Sequence, residues 1–339
     1  MKAFHRFSII LGMILLAVLV WRIGPGSILA ELKNIGWWIL PLVCLEGVAE
    51  GFHTLGWRRC LSATQENEPF HRLLGIKLAG YAMNNLTPTA GIGGEITKAA
   101  LLAEKGGGAQ AAGGVLVGKA TYVLAQLILV IIGSLVTLWF LDVSPALWAA
   151  VTLTGGLLLS ALGFLFVLQK RGRLSSMVGW AGFLPIGGTG HRRLRGALEA
   201  VDGELRAYYN RNPYGLYRAM GWYGVGFACY ILQIWWFLHA AGVQASFIMA
   251  AGLWCLAGWF ELVGSVVPLR LGIQEGGRVI SLAAFGYTPA LGMALAALIR
   301  IQELIWGLVG LLIYPFLCSR ESMRRTPGED PCPRRPFVP

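Results

Sequence analysis

The sequence predicts an all-α polytopic membrane protein. It has about six full transmembrane helices plus two re-entrant hairpins, or about eight transmembrane helices, arranged as an inverted-topology repeat. Three observations lead there. Of 339 residues, 56% are hydrophobic and only 13% charged, with a mean hydropathy of +0.62, whereas soluble domains carry about 25% charged residues. The Lys and Arg residues are bunched between apolar runs. Two of those runs are interrupted by proline, glycine and charge at matching spacing.

In chain order, the first apolar helix covers residues 7–23 and the second 37–57, and an interrupted segment follows at 73–103. Apolar runs cover 113–141 and 145–168, a basic amphipathic loop fills 169–213, and another run covers 214–241. A second interrupted segment spans 247–285, and the last helix spans 289–317. Residues 1–318 form a single membrane domain, and the Pro- and Arg-rich tail 319–339 is expected to be disordered. The opening MKAFHRF resembles a signal peptide but lacks an A-x-A site, so a retained first helix is expected.

Orientation follows from basic residues beside the spans. Lys2 and Arg6 precede the first helix, and Arg58, Arg59 and Arg72 follow the second. Nine basic residues lie between Lys170 and Arg218 and five in the tail, while the loops at Asp142, 242–245 and 286–288 hold none. Arg22 and Lys33 run against this count. Both termini and the basic loop are therefore assigned to the cytoplasmic side of the cytoplasmic (inner) membrane. Under that assignment, 73–103 starts and ends inside, and 247–285 starts and ends outside. Each must enter and return, as a re-entrant hairpin or as two short helices.

The interruptions are alike. The first reads PTAGIGGEITK from Pro88 and the second PLRLGIQEGGR from Pro268. Proline to glutamate is seven residues in both, and glutamate to the basic residue is three, giving Glu95/Lys98 and Glu275/Arg278. A long helix with one basic residue follows each: Lys119, 24 after Glu95, and Arg300, 25 after Glu275. Paired interruptions in halves of opposite orientation mark an inverted-repeat transporter. Broken backbone at membrane depth is tolerated only where it is buried in protein or lines a wet cavity. Helices restarting near Gly93 and Gly272 would offer free N–H groups to an anion. Six ionisable residues facing lipid would cost about 2.5–3.5 kcal/mol each on insertion scales.

Other readings of the same residues stay open. Glu95–Lys98 and Glu275–Arg278 have the i,i+3 spacing of plain structural ion pairs, and either glutamate could serve its own helix N-terminus. Lys119 could snorkel; Arg300, deeper in its helix, could not do so easily. Glu46, Glu50 and His53 share one helix face and suit cavity lining or proton coupling. Glu50-x-x-His53 has di-metal spacing but no second copy, so no metal is expected. Asn84, Asn85, Gln274, Gln302 and Glu303 are further polar candidates. The six cysteines (Cys44, Cys60, Cys229, Cys255, Cys318 and Cys332) form no CxxC motif. No cofactor and no nucleic-acid partner are expected. No G-x-x-x-x-G-K-[ST] loop for ATP is present. From Arg192, RRLRGALEAVDGELRAYY repeats apolar residues at Leu194, Leu198, Val201, Leu205 and Tyr208, suited to an anionic leaflet or a partner helix.

The segments NNLTPTAGIGGE and VPLRLGIQEGG resemble the signature regions of the flippase-like membrane family named for the lysylphosphatidylglycerol synthase transmembrane domain. LGIQEGG with ALAALIRIQELIWGLVGLL is similar to its hopanoid-associated branch. The resemblance implies a lipid-translocating or lipid-handling domain without the synthases' soluble part. The function expected is a lipid flippase, not an enzyme. It would move a polar-headed phospholipid or isoprenoid lipid, with membrane lipids of anionic headgroup as the expected partners and a lipid-modifying enzyme as a further candidate. The alternative is a membrane-bound transferase, or an accessory subunit for phospholipid aminoacylation or for a polyprenyl or hopanoid pathway. The topology makes one prediction. With native cysteines removed, cysteines at Gly106 and Asp142 label from opposite faces of the membrane; labelling from one face contradicts the hairpin assignment.

Overall fold

The computed structural model describes residues 21, 25–86, 92–103, 107–140, 145–173, 175–176, 188–264 and 272–322. Most of the expected first helix at 7–23, the interrupting Pro88 and Pro268, and the tail from 323 lie outside the described residues. Within them the regular structure is helical throughout.

The helices are α1 (Pro25–Ile35), α2 (Ile39–Arg58), α3 (Ala63–Glu66), α4 (Phe70–Leu86), α5 (Ile92–Ala103), α6 (Gly108–Phe140) and α7 (Pro145–Arg171). After the basic loop come α8 (Gly188–Arg211), α9 (Gly215–Ala240), α10 (Phe247–Gly264), α11 (Ile273–Ala284) and α12 (Pro289–Ser322). Proline opens α1, α7 and α12, where its missing N–H costs nothing and its fixed φ suits a helix start. Ser246 and Thr288 hydroxyls accept the Met249 and Leu291 N–H groups at the starts of α10 and α12.

Length sorts these helices. Gly108–Trp139, Val151–Arg171 and Pro289–Cys318 are long and apolar enough to cross a membrane, and Phe247–Leu262 is a shorter apolar stretch. The outward residues Leu153, Leu157, Leu308 and Phe316 suit hydrocarbon contact. By contrast α5 and α11 have 12 residues each and rise about 18 Å, short of a core about 30 Å thick.

Each short helix folds back on its predecessor. Gly80 lies against Lys98, and Asn84 against Gly94, so α4 and α5 run antiparallel. Phe260 lies against Gly277, and Gly264 against Ile273, so α10 and α11 do the same. The expected segments 73–103 and 247–285 are therefore two helical hairpins. α5 packs on α6 and α11 on α12; α4 packs on α12 and α10 on α6. α2 and α9 pack closely together, and both touch α6.

Glycine permits these approaches. A Cβ at Gly310 would collide with the Leu78 carbonyl, one at Gly94 with the Gly80 carbonyl, and one at Gly47 with the Trp306 ring. In lipid, helices gain little from hiding apolar surface from one another, so close packing through small residues is what joins them.

The amphipathic helix α8 does not keep its whole apolar stripe for a leaflet. Val201, Leu205 and Tyr208 are buried, and α8 packs on α6 and α7. Tyr208 donates to the Arg59 carbonyl (3.0 Å) and Arg211 to the Leu61 carbonyl (3.2 Å). Arg206 donates to the carbonyls of Arg171 and Gly172 (2.9 and 2.7 Å). Gly172, at φ +56°, is needed there because a Cβ would strike Arg206. The helix thus clamps the ends of α2 and α7. The Tyr208 and Tyr209 phenols are pushed well above the usual range by burial, so both keep their protons as donors.

Gly310→Ala and Gly94→Ala should each destabilise the bundle by about 1–3 kcal/mol through overpacking, lowering the unfolding midpoint in detergent. Gly156→Ala, with open space around it, should leave the midpoint unchanged. Equal midpoints for all three would contradict the packing described.

Candidate functional site

Between the two hairpins and the α2–α9 pair lies a cavity of about 680 Å³. Both halves of the chain line it: Glu95, Lys98 and Lys119 from one, and Gln274, Arg278 and Arg300 from the other. The centre is supplied by α2 and α4, through Glu46, Glu50, Lys77 and Tyr81.

At the first hairpin, Lys98 pairs with Glu95 one helical turn away, and Lys119 of α6 reaches the same carboxylate at 3.8 Å. Lys98 also lies 5.5 Å from the Trp57 ring centre and Lys119 5.8 Å from that of Tyr122, cation–π distances. Gly93 is in the first turn of α5, and its carbonyl accepts from Thr97 (2.9 Å). The next N–H, of Gly94, donates to Asn84 Oδ1 at 2.7 Å.

The second hairpin is wired differently. Glu275 does not pair with Arg278 despite the i,i+3 spacing. One of its oxygens accepts the Gly272 N–H (2.7 Å), and the other accepts Arg300 Nε (2.6 Å). Gly272 stands at φ +80° to turn the chain into α11, a conformation a side chain would strain. Arg300 also holds Glu303 at 2.6 Å, and Arg278 turns to Glu261 of α10 at 3.1 Å. At both helix starts, then, a side chain takes an N–H that sequence reasoning offered to an anion. Arg278 Nη1 and Gln274 Oε1 are buried without a hydrogen-bond partner among the described residues.

In the centre, Glu50 forms an ion pair with Lys77 at 3.2 Å and lies 3.6 Å from His53 Nδ1. His53 is fully buried and ringed by Tyr122, Tyr223, Phe227 and Tyr230, with ring centres 5.1–5.9 Å away. It stands behind Glu50. The Tyr230 hydroxyl is 3.2 Å from Glu50 and 3.4 Å from Glu46. Among the described residues, no group of three or more His, Cys, Asp or Glu is arranged to hold a metal ion.

Sequence reasoning missed Lys77, Tyr81, Tyr230 and Glu261. A lysine in LGIKLAG and a glutamate in WFELVG were visible as charges within apolar runs; nothing marked the two tyrosines. The arrangement can hold a polar group at membrane depth between cations already matched to carboxylates. Breaking a match should be costly. Lys77→Met or Glu50→Gln alone should destabilise by about 3–5 kcal/mol by stranding a buried charge, while the double change should recover most of it. Additive losses in a thermal unfolding cycle would contradict direct pairing.

Comparison with known proteins agrees with a multi-pass membrane protein. A membrane protein designated UPF0104, from Methanothermobacter thermautotrophicus, is 25% identical over 346 aligned residues, covering 95% of this chain and 98% of that one. No solved structure matches. Residues 7–310, which include both hairpins and every cavity residue named above, match the model of the lysylphosphatidylglycerol synthase TM region. The chain is a membrane protein and belongs to that family.

Proposed function

We propose that this protein moves a polar-headed lipid, a phospholipid or an isoprenoid lipid phosphate, across the cytoplasmic membrane. Its two halves act as inverted repeats that rock about the cavity, with both termini on the cytoplasmic side. The observation that carries this reading is one large cavity lined by charged residues of both hairpins. An interior of that size and polarity has no structural purpose in a membrane bundle, because each buried charge costs free energy.

Several further features support it. The hairpin contacts Asn84–Gly94 and Gly264–Ile273, and Gly80–Lys98 and Phe260–Gly277, fall at corresponding places in the two halves. Exchanging α4, α5 and α6 for α10, α11 and α12 maps the contact of α4 with α12 onto that of α10 with α6. Lys119–Glu95 and Arg300–Glu275 are likewise matching helix-to-hairpin pairs. The head enters the cavity while its tails remain in the bilayer. Its phosphate competes with Glu95 for Lys98 and Lys119, or with Glu261 for Arg278, whose Nη1 has a proton to donate. Because each cation already has a partner, the head is exchanged rather than trapped. Binding of this kind must be weak enough to release its cargo.

The test is purified protein in liposomes carrying labelled lipids, scored for heads that become accessible on the other face. Lys98→Ala and Arg278→Ala should each slow movement about tenfold or more, the loss expected for one charge-assisted bond. Chemical conversion of a lipid without any translocation would contradict transport and favour a transferase.

A further inference from the structure

We infer that Glu46 is a proton-binding site, and that its proton is the ion coupled to lipid movement through the cavity. The coupling rests on the transport reading above; the proton site does not.

Tyr230 has one hydroxyl hydrogen and two carboxylates within reach, Glu50 at 3.2 Å and Glu46 at 3.4 Å. Glu50 is the ionised member, since Lys77 lies 3.2 Å from it, and it takes the Tyr230 hydrogen. Glu46 then faces the phenol oxygen with no hydrogen between them unless it carries one itself. Protonated Glu46 donates to Tyr230, Tyr230 donates to Glu50, and Lys77 offsets the Glu50 charge as an ion pair from the other side. One phenol then serves both carboxyl groups. Without the proton, two buried carboxylates compete for a single hydrogen, a costly arrangement.

Charge matching singles out the same residue. Each of the five cations lining the cavity, Lys77, Lys98, Lys119, Arg278 and Arg300, lies within 4.0 Å of a carboxylate. Glu46, which also lines it and is only 8% exposed, is the lining carboxylate with no cation in that range among the described residues. Glu50 lies one turn along its own helix and Tyr230 reaches it from α9, while Lys77 and Tyr81 of α4 and Tyr122 of α6 line the same cavity. Glu261 of α10 and Glu303 of α12 are the further carboxylates that line the same cavity.

The sign of coupling follows. An anionic phosphate arriving in the cavity adds negative charge beside Glu46 and favours its acid form. Head and proton enter together and leave together. Glu46 carboxylate takes one proton from water on one face and returns it to water on the other, driven by the proton gradient across the membrane.

The experiment uses full-length protein in vesicles containing fluorescent phosphatidylglycerol, with a gradient of one pH unit imposed in either direction. Movement from the acidic to the alkaline face should exceed the reverse by up to about tenfold, the limit for one proton per cycle. Glu46→Gln should bring that ratio to one, and Glu46→Asp, which keeps a titratable carboxyl, should hold it above one. Infrared difference spectra across a pH titration should contain a carboxylic-acid C=O band that Glu46→Gln removes and Glu46→Asp retains. Wild-type lipid movement with equal rates in both directions would overturn the coupling. A band unchanged in Glu46→Gln would overturn the proton site. If no lipid moves under any gradient while the band is present and sensitive to Glu46→Gln, the transport reading fails and the proton site stands.

Discussion

Everything in this structure depends on keeping charge matched inside an apolar bundle. A carboxylate or ammonium cannot be left alone at membrane depth, so its partner must be brought to it, and each match ties two elements together. Glu50–Lys77 joins α2 to α4, Glu95–Lys119 joins α5 to α6, Arg278–Glu261 joins α11 to α10, and Arg300–Glu275 joins α12 to α11. Helices too short to cross the bilayer are thereby held between longer ones, and the unmatched space among them is the cavity. Glycines at the crossings bring the backbones close enough for these reaches to be made.

Much of this organisation was legible in the sequence, because hydropathy and breaks are local signals. Residues 37–57 became α2 at Ile39–Arg58, and 214–241 became α9 at Gly215–Ala240. The interrupted segments became antiparallel helix pairs. The charge network was less legible, since its partners lie far apart in the chain. Tyr230 meets Glu46 and Glu50 across about half the sequence, and no spacing rule reaches that far. The local rule itself failed once. Glu275 and Arg278 are spaced to pair, but Glu275 is consumed by the Gly272 N–H and Arg300, which releases Arg278 to Glu261. At the first hairpin Lys98 stays with Glu95. α8 buries Val201, Leu205 and Tyr208 of its apolar stripe. Its buried part faces protein, because Arg206, Tyr208 and Arg211 anchor the helix to carbonyls at the bundle end.

The halves match in layout but not in charge. Among the described residues, two lysines flank the Glu95 carboxylate and two carboxylates flank the Arg300 guanidinium. Those residues make one pole of the cavity richer in positive charge and the other richer in negative charge. On the proposed function, a phosphate-bearing head would be drawn to the lysine pole and repelled from the pole that Glu303 and Glu46 extend. Protonation of Glu46 would lower that barrier by removing a full negative charge from the path between the poles.

Alternating exposure of this one cavity is the central claim, and a single position tests it most directly. Val123 lines the cavity, about one helical turn after Lys119 on α6. A cysteine placed there, in a chain without native cysteines, should react with a membrane-impermeant thiol reagent added to either face of sealed vesicles. Reaction from one face only, or from neither, would contradict a cavity that opens to both sides.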